Sequence, residues 1–236
     1  MKSKILKSKE KMFGVELVFV DYRNYQNLME DHLAKNIKYF EEKHNENSLA
    51  QEAKKAGEHQ SEYLSHLLDM YFDEHLNLSI QYPHNFRASF LTQIFSFIEY
   101  ELRAICKHHH SLNKTDFSVS DLQGASDMDK AKKYLSRAAK IEFDALNPEW
   151  SAINTVRKLR NKIVHHQGIV TTADPDWTEL DMFIGHNNFI ELIEVTTDNK
   201  LDTIKYYNII IKNKSLNDKL IKDTENFFIK LLTEIK

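Results

Sequence analysis

The stretch WSAINTVRKLRNKIVHHQG, Trp150 to Gly168, decides how the rest of the chain is read. Trp150, Ile153, Val156 and Leu159 or Ile163 recur at spacings of three and four, so the spacing predicts a helix with one apolar face. Asn147 can cap its first amide groups, Pro148 suits the first helical position, and Gly168 can take the left-handed conformation that ends it. The opposite face carries Arg157, Lys158, Arg160, Asn161, Lys162, His165 and His166. At about 100° per residue Asn161 and His165 are one turn apart, whereas Arg160 and His165 differ by about 140°. The Arg and the His therefore converge if the helix loosens near His165, or if they meet across a partner chain.

A permanently charged arginine five positions before a histidine that titrates near neutrality suits phosphodiester chemistry. The guanidinium can hold a phosphate and the imidazole can move a proton. The pair by itself is a weak signal, because both residue types are common on solvated helix faces.

At Arg160-Asn161 and His165 the chain resembles the HEPN family, the higher eukaryotes and prokaryotes nucleotide-binding domains. Their mark is an Arg, frequently followed by Asn, then a His after four to six residues. The resemblance extends to an earlier helix containing Phe97-Ile98-Glu99-Tyr100-Glu101-Leu102 and to the amphipathic helix that closes the chain. It implies a helical bundle acting as a metal-independent endoribonuclease, without cofactor, and as a homodimer whose two motifs face one cleft. It implies His165 as the proton-transfer group, Arg160 as the phosphate clamp, Asn161 as the residue positioning them, and Glu99 as the carboxylate orienting the Arg. Arg157, Lys162, His166, Lys133 and Arg137 are the RNA-binding candidates. Members silenced by nucleotidylation carry a Tyr two positions after the His; here that position is Gln167, so that antidote does not carry over.

The remainder of the chain fits a bundle. Its 236 residues are 42% hydrophobic and 28% charged, with only 5 Gly and 3 Pro, which favours long helices in one domain spanning residues 1–236. A formal net charge of −3 excludes indiscriminate nucleic-acid binding, so any RNA contact is a local patch. The single Cys106 excludes an intramolecular disulfide and a cysteine-based zinc site. Five lysines among residues 1–11 read as a flexible basic start, and Met12 to Val20 as a short strand rather than a signal peptide. No run approaches the roughly 20 apolar residues of a membrane span, and the expected location is the cytoplasm.

Residues 1–84 then form a helical extension, with helices from about Tyr22 to His44 and from Ser48 to about Leu78, Pro83 ending the second or opening a turn. The core bundle starts with the strongly apolar helix Asn85 to His109, where Phe90, Leu91, Ile94, Phe95, Phe97, Ile98, Leu102 and Ile105 share one arc. Glu99 falls at the edge of that arc and Glu101 inside it, so one carboxylate is drawn inward and needs a partner, for which Arg160 or Arg157 is a candidate; the alternative is that both only anchor structural salt bridges. His108, His109 and His110 point about 100° apart and read as a frayed, solvated helix end rather than a metal site.

Ser126 and Asp129 make a capping box for a helix to about Leu146, whose Lys130, Lys133, Arg137 and Lys140 form a basic stripe. That stripe is either a solvated face or a track for a phosphate backbone. After Gly168, Met182 to Ile184, Phe189 to Val195 and Thr203 to Lys212 are β-rich, and the turn signal Thr197-Asp198-Asn199 predicts a hairpin within about residues 182–212. Ser215 and Asp218 read as a second capping box opening the last helix. The fold class is thus mainly α. The function it points to is an RNase effector of prokaryotic defence or of a toxin–antitoxin pair, with an antitoxin or regulatory protein as a further partner. The competing reading is a non-catalytic module that dimerises, binds nucleotide or recruits a partner; a DNA-binding regulator is weaker, for want of a helix-turn-helix signal.

Overall fold

The computed structural model describes residues 2–55, 57–196 and 203–235. Among these the chain is mainly α-helical with one small sheet. Its elements are α1 (Lys2–Lys43), α2 (Glu46–Lys54), α3 (Gln60–Leu76), α4 (Tyr82–Asn113), α5 (Asp127–Arg137), α6 (Asn147–His165), β1 (Ile169–Thr171), α7 (Trp177–Gly185), β2 (Ile190–Val195), β3 (Tyr206–Ile211) and α8 (Ser215–Glu234).

Helix α4 is the centre of the core because its apolar arc is wide enough to be covered on several sides. Phe90, Leu91, Ile94, Phe95, Ile98, Leu102 and Ile105 are buried, and α1, α5, α6 and α8 pack around them. The broad apolar face of α8 closes the bundle through Leu216, Leu220, Ile221, Phe227, Phe228, Leu231 and Leu232. Aromatic edges interlock the layers, with Phe19 against Phe97 at 5.3 Å and Trp150 against Phe227 at 5.4 Å between ring centroids. Truncating a fully buried ring such as Phe95 or Phe228 to Ala would cost about 3–5 kcal/mol.

Several expectations are corrected. Met12 to Val20 is not a strand but part of α1. Val15 and Phe19, one turn apart, are buried, whereas Leu17 and Val20 are exposed, so the run is a helical stripe masked by apolar residues on the outer face. Pro83 neither ends a helix nor begins a turn. The chain passes from α3 through a π-helical segment, Asn77–Gln81, straight into α4, with Pro83 in its first turn. There the Tyr82 N–H reaches back five residues to the Asn77 carbonyl, a change of register at the proline, whose N–H is missing.

Helix α5 ends at Arg137 rather than near Leu146. Lys140 takes φ +58° and the chain turns to bury Ile141, Phe143 and Leu146, which removes Lys140 from the basic stripe. The triple histidine is not a frayed end: α4 runs on to Asn113, and His109 is buried with its Nδ1 hydrogen-bonded to Tyr134 Oη at 3.0 Å.

Beyond α6 the β-rich reading holds in part. Met182 to Ile184 lies in α7, while β2 and β3 pair antiparallel as the expected hairpin, Ile190 opposite Ile211; Thr197-Asp198-Asn199 lies outside the described residues. A further strand, β1, pairs with β3 and completes a sheet of order β1-β3-β2. The Ser126–Asp129 cap is formed, but the one at Ser215 is not: the Ser215 N–H donates to Asn213 Oδ1 at 3.0 Å, and Asp218 Oδ1 accepts from the buried Gln26.

Candidate active site

Trp150, Ile153, Val156 and Leu159 seat α6 in the core and so fix which side chains remain outside. Asn147 is the first helical residue rather than the cap, and Pro148 lies in the first turn. At the other end the His166 and Gly168 N–H groups both donate to the Lys162 carbonyl, at 3.0 and 3.1 Å. Gln167 and Gly168 turn the chain away with φ of +54° and +78°. Helix α6 is unbroken through His165, so the loosening that would bring Arg160 and His165 together in one chain does not occur. Asn161 lies between them, one residue after the Arg and one turn before the His.

Arg160 is half-buried. Its guanidinium lies over the Phe95 ring of α4, 5.8 Å from the centroid, and Nη1 donates to Asn161 Oδ1 at 3.1 Å. Its Nε is buried with no hydrogen-bond partner, and among the described residues no carboxylate pairs with it. The neighbouring cations differ. Arg157 donates through Nε to Asn154 Oδ1 at 2.9 Å and stands 3.8 Å from Asp129. Lys158 is bound to Glu179 of α7. Lys162 is only 8% exposed and pairs with Asp174 at 2.8 Å and Asp176 at 3.5 Å, so its ammonium is turned inward and not offered to a ligand.

His165 and His166 are exposed and line a cavity of about 330 Å3 with Gln167, Ile169, Thr171 and Asp174. Partial burial pushes the Asp174 carboxyl up, but the Lys162 ammonium, the Thr171 N–H at 2.8 Å and the nearby His166 outweigh it and leave it below its ordinary range. No hydrogen bond or ion pair engages His165 among the described residues, so both ring nitrogens are open to a substrate.

Neither carboxylate of α4 pairs with an arginine among the described residues. Glu101 pairs with Lys11 of α1 at 3.2 Å, a correction to the expected Arg160 or Arg157. Glu99 is half-buried one turn beyond Phe95 and makes no hydrogen bond or ion pair among the described residues. On α5, Lys133 donates to the Gln123 carbonyl at 2.7 Å, and it lines a separate cavity with Lys132, Arg137 and Asp129. Arg137 is exposed. Asp129 joins this basic surface to Arg157 of the motif helix.

Phe95, Asp174 and Asp176 are the site residues that sequence reasoning missed. Phe95 was placed in the core by its arc, and nothing in its spacing shows that a guanidinium rests on it. Among the described residues no group of three or more His, Cys, Asp or Glu could hold a metal ion, and no helix is long and apolar enough to cross a membrane. Burial pushes the Cys106 thiol up to about 12, which leaves it inert as a nucleophile. Compared with protein-family models, curated proteins and solved structures, the chain finds no match in any of the three.

Proposed function

We propose that the chain is a metal-independent endoribonuclease similar to the HEPN ribonucleases. The observation that carries this reading is the state of Arg160: a half-buried guanidinium with a buried unsatisfied Nε, backed by an aromatic face, oriented by Asn161 and, among the described residues, lacking a carboxylate. A charge held in that way is favoured when an anion arrives, and a planar fork of donors suits a phosphate. His165, exposed and without a partner among the described residues, supplies the proton transfer.

In this mechanism the substrate's 2′-hydroxyl attacks the adjacent phosphorus as a base takes its proton. The bond to the 5′-oxygen breaks, that oxygen is protonated, and a 2′,3′-cyclic phosphate and a 5′-hydroxyl result. Because Arg160 and His165 leave α6 about 140° apart, one chain does not close the site. A homodimer in which the Arg160 of one protomer faces the His165 of the other does, and puts the two His165 imidazoles in one shared cleft. Arg157, with the Lys133 and Arg137 surface, extends the path of the RNA backbone, and His166 lies beside it. The role in a cell is that of an RNase effector in prokaryotic defence or a toxin–antitoxin pair. Incubating RNA with the purified protein in EDTA tests the chemistry: cyclic-phosphate and 5′-hydroxyl ends are expected, and 5′-phosphate ends or intact RNA contradict it.

A second reading is a non-catalytic module that recruits a protein partner. It is favoured by α3, which has no buried residue and exposes Phe72 and Leu76 on successive turns. On this reading the wild-type protein leaves RNA intact, and Phe72→Ser with Leu76→Ser abolishes capture of the partner; RNA cleavage by wild type contradicts it.

A further inference from the structure

A second cavity of about 330 Å3 adjoins the one at His165 and shares Gln167 with it. His84, Asn85 and Ser89 from the start of α4 line it, together with Ile163 of α6 and Gln167 from the turn that follows it. The polar groups here are of one kind. The Ile211 N–H donates to His84 Nδ1 at 3.1 Å, and a ring nitrogen that accepts carries no hydrogen, so the imidazole is neutral with its hydrogen on Nε2. Partial burial and the adjacent Arg87 both hold the His84 pKa below its ordinary value, in agreement with that bond.

Arg87 itself is fully engaged by the Glu30 carboxylate and the Ile211 and Lys212 carbonyls, so it lends the cavity no free charge. Among the described residues, His84 Nε2, the Asn85 and Gln167 amides and the Ser89 hydroxyl have no hydrogen-bond partner. What remains is a set of neutral, directional donors and acceptors around an Ala88 and Ile163 floor. That is the chemistry that reads the edge of a nucleobase rather than holds a phosphate.

Helices α4 and α6 run antiparallel here, since Arg160 lies over Phe95 while Ile163 lines the same cavity as Ala88. The seven residues from Phe95 back to Ala88 span about 10 Å of helix rise, a reach that a strand of RNA covers between a phosphate and a neighbouring base. We infer that this cavity takes an unpaired nucleobase of the RNA whose phosphate lies at Arg160, with His84 and Gln167 as its specificity-determining residues. The inference rests on the ribonuclease reading above.

The test compares a short 2′-O-methyl RNA, which cannot be cleaved, with its abasic counterpart, by fluorescence anisotropy. Wild type should bind the base-bearing oligomer about tenfold more tightly, the scale of one well-made base contact. His84→Ala, Asn85→Ala and Gln167→Ala should each narrow that margin. Asn85 is exposed and its side chain unpartnered, so Asn85→Ala keeps the test independent of any unfolding caused by freeing the Ile211 N–H. Equal binding of the two oligomers by wild type, or a full margin in all three variants, overturns the base site and leaves the ribonuclease reading standing. Binding of neither oligomer overturns both.

Discussion

The cations of α6 fall on two flanks that the fold treats differently. Towards α7 and the loop before it, Lys158 is paired with Glu179 and Lys162 with Asp174 and Asp176. Towards α4 and α5, the one carboxylate near Arg157 among the described residues is Asp129, at a long 3.8 Å, and Arg160 rests on a phenyl ring with no carboxylate among them. Only Asn161 separates Arg160 from Lys162, yet one is a guanidinium that meets no carboxylate among the described residues and the other a clasp between a helix and a loop. Proximity to a motif therefore does not assign a role; the partner on each flank does.

Among the cations of α6, substituting Lys162 should have the largest effect on folding. Lys162→Met should cost about 3 kcal/mol, the lower end of what breaking a buried ion pair costs, because Asp174 and Asp176 can still reach water. Urea denaturation measures it, and adding Asp174→Asn and Asp176→Asn should recover part of the loss. A Lys162→Met protein as stable as wild type would erase the contrast between the flanks.

Acid should act on the same flank. The Glu179 carboxyl is held below its usual range chiefly by the Lys158 hydrogen bond, which with Thr155 outweighs partial burial. The Asp174 carboxyl is likewise depressed. Stability from depressed carboxylates is complete above their unfolded values, about 3.9 for Asp and 4.3 for Glu, and is lost as pH falls through the lower folded values. Urea midpoints should hold at pH 5 and above and drop towards pH 3, with a shallower drop in Asp174→Asn.

Arg160→Met should shift stability by no more than about 1 kcal/mol, since the thioether can still cover Phe95 and no ion pair is broken. The smallest effect belongs to Lys158→Ala. Its pair with Glu179 is partly exposed, and its loss should cost at most about 1 kcal/mol and fade in high salt.

The contrast between the flanks also marks what could be read in advance. Helices α4 and α8 were legible because their apolar residues fall on one arc, and α6 because Pro148, its periodicity and Gly168 agree, although the cap expected at Asn147 does not form. The start of α1 was not, because exposed Leu17 and Val20 fill the gaps in its stripe and make it look continuous. Strand β1 is three residues long, too short to carry a period, and α7 is apolar enough to pass for β structure. At the site, the spacing of Arg160, Asn161 and His165 was visible. The engagement of Lys162 was not, because its two carboxylates come from a loop more than ten residues later, and only the fold brings that loop back.

The most direct test is the rate at which wild type, Arg160→Met and His165→Ala cleave one RNA oligonucleotide in EDTA, at equal fraction folded, with product ends analysed. The account predicts cyclic-phosphate ends from wild type and a loss of at least about a hundredfold in each variant. Cleavage by either variant at the wild-type rate would contradict it.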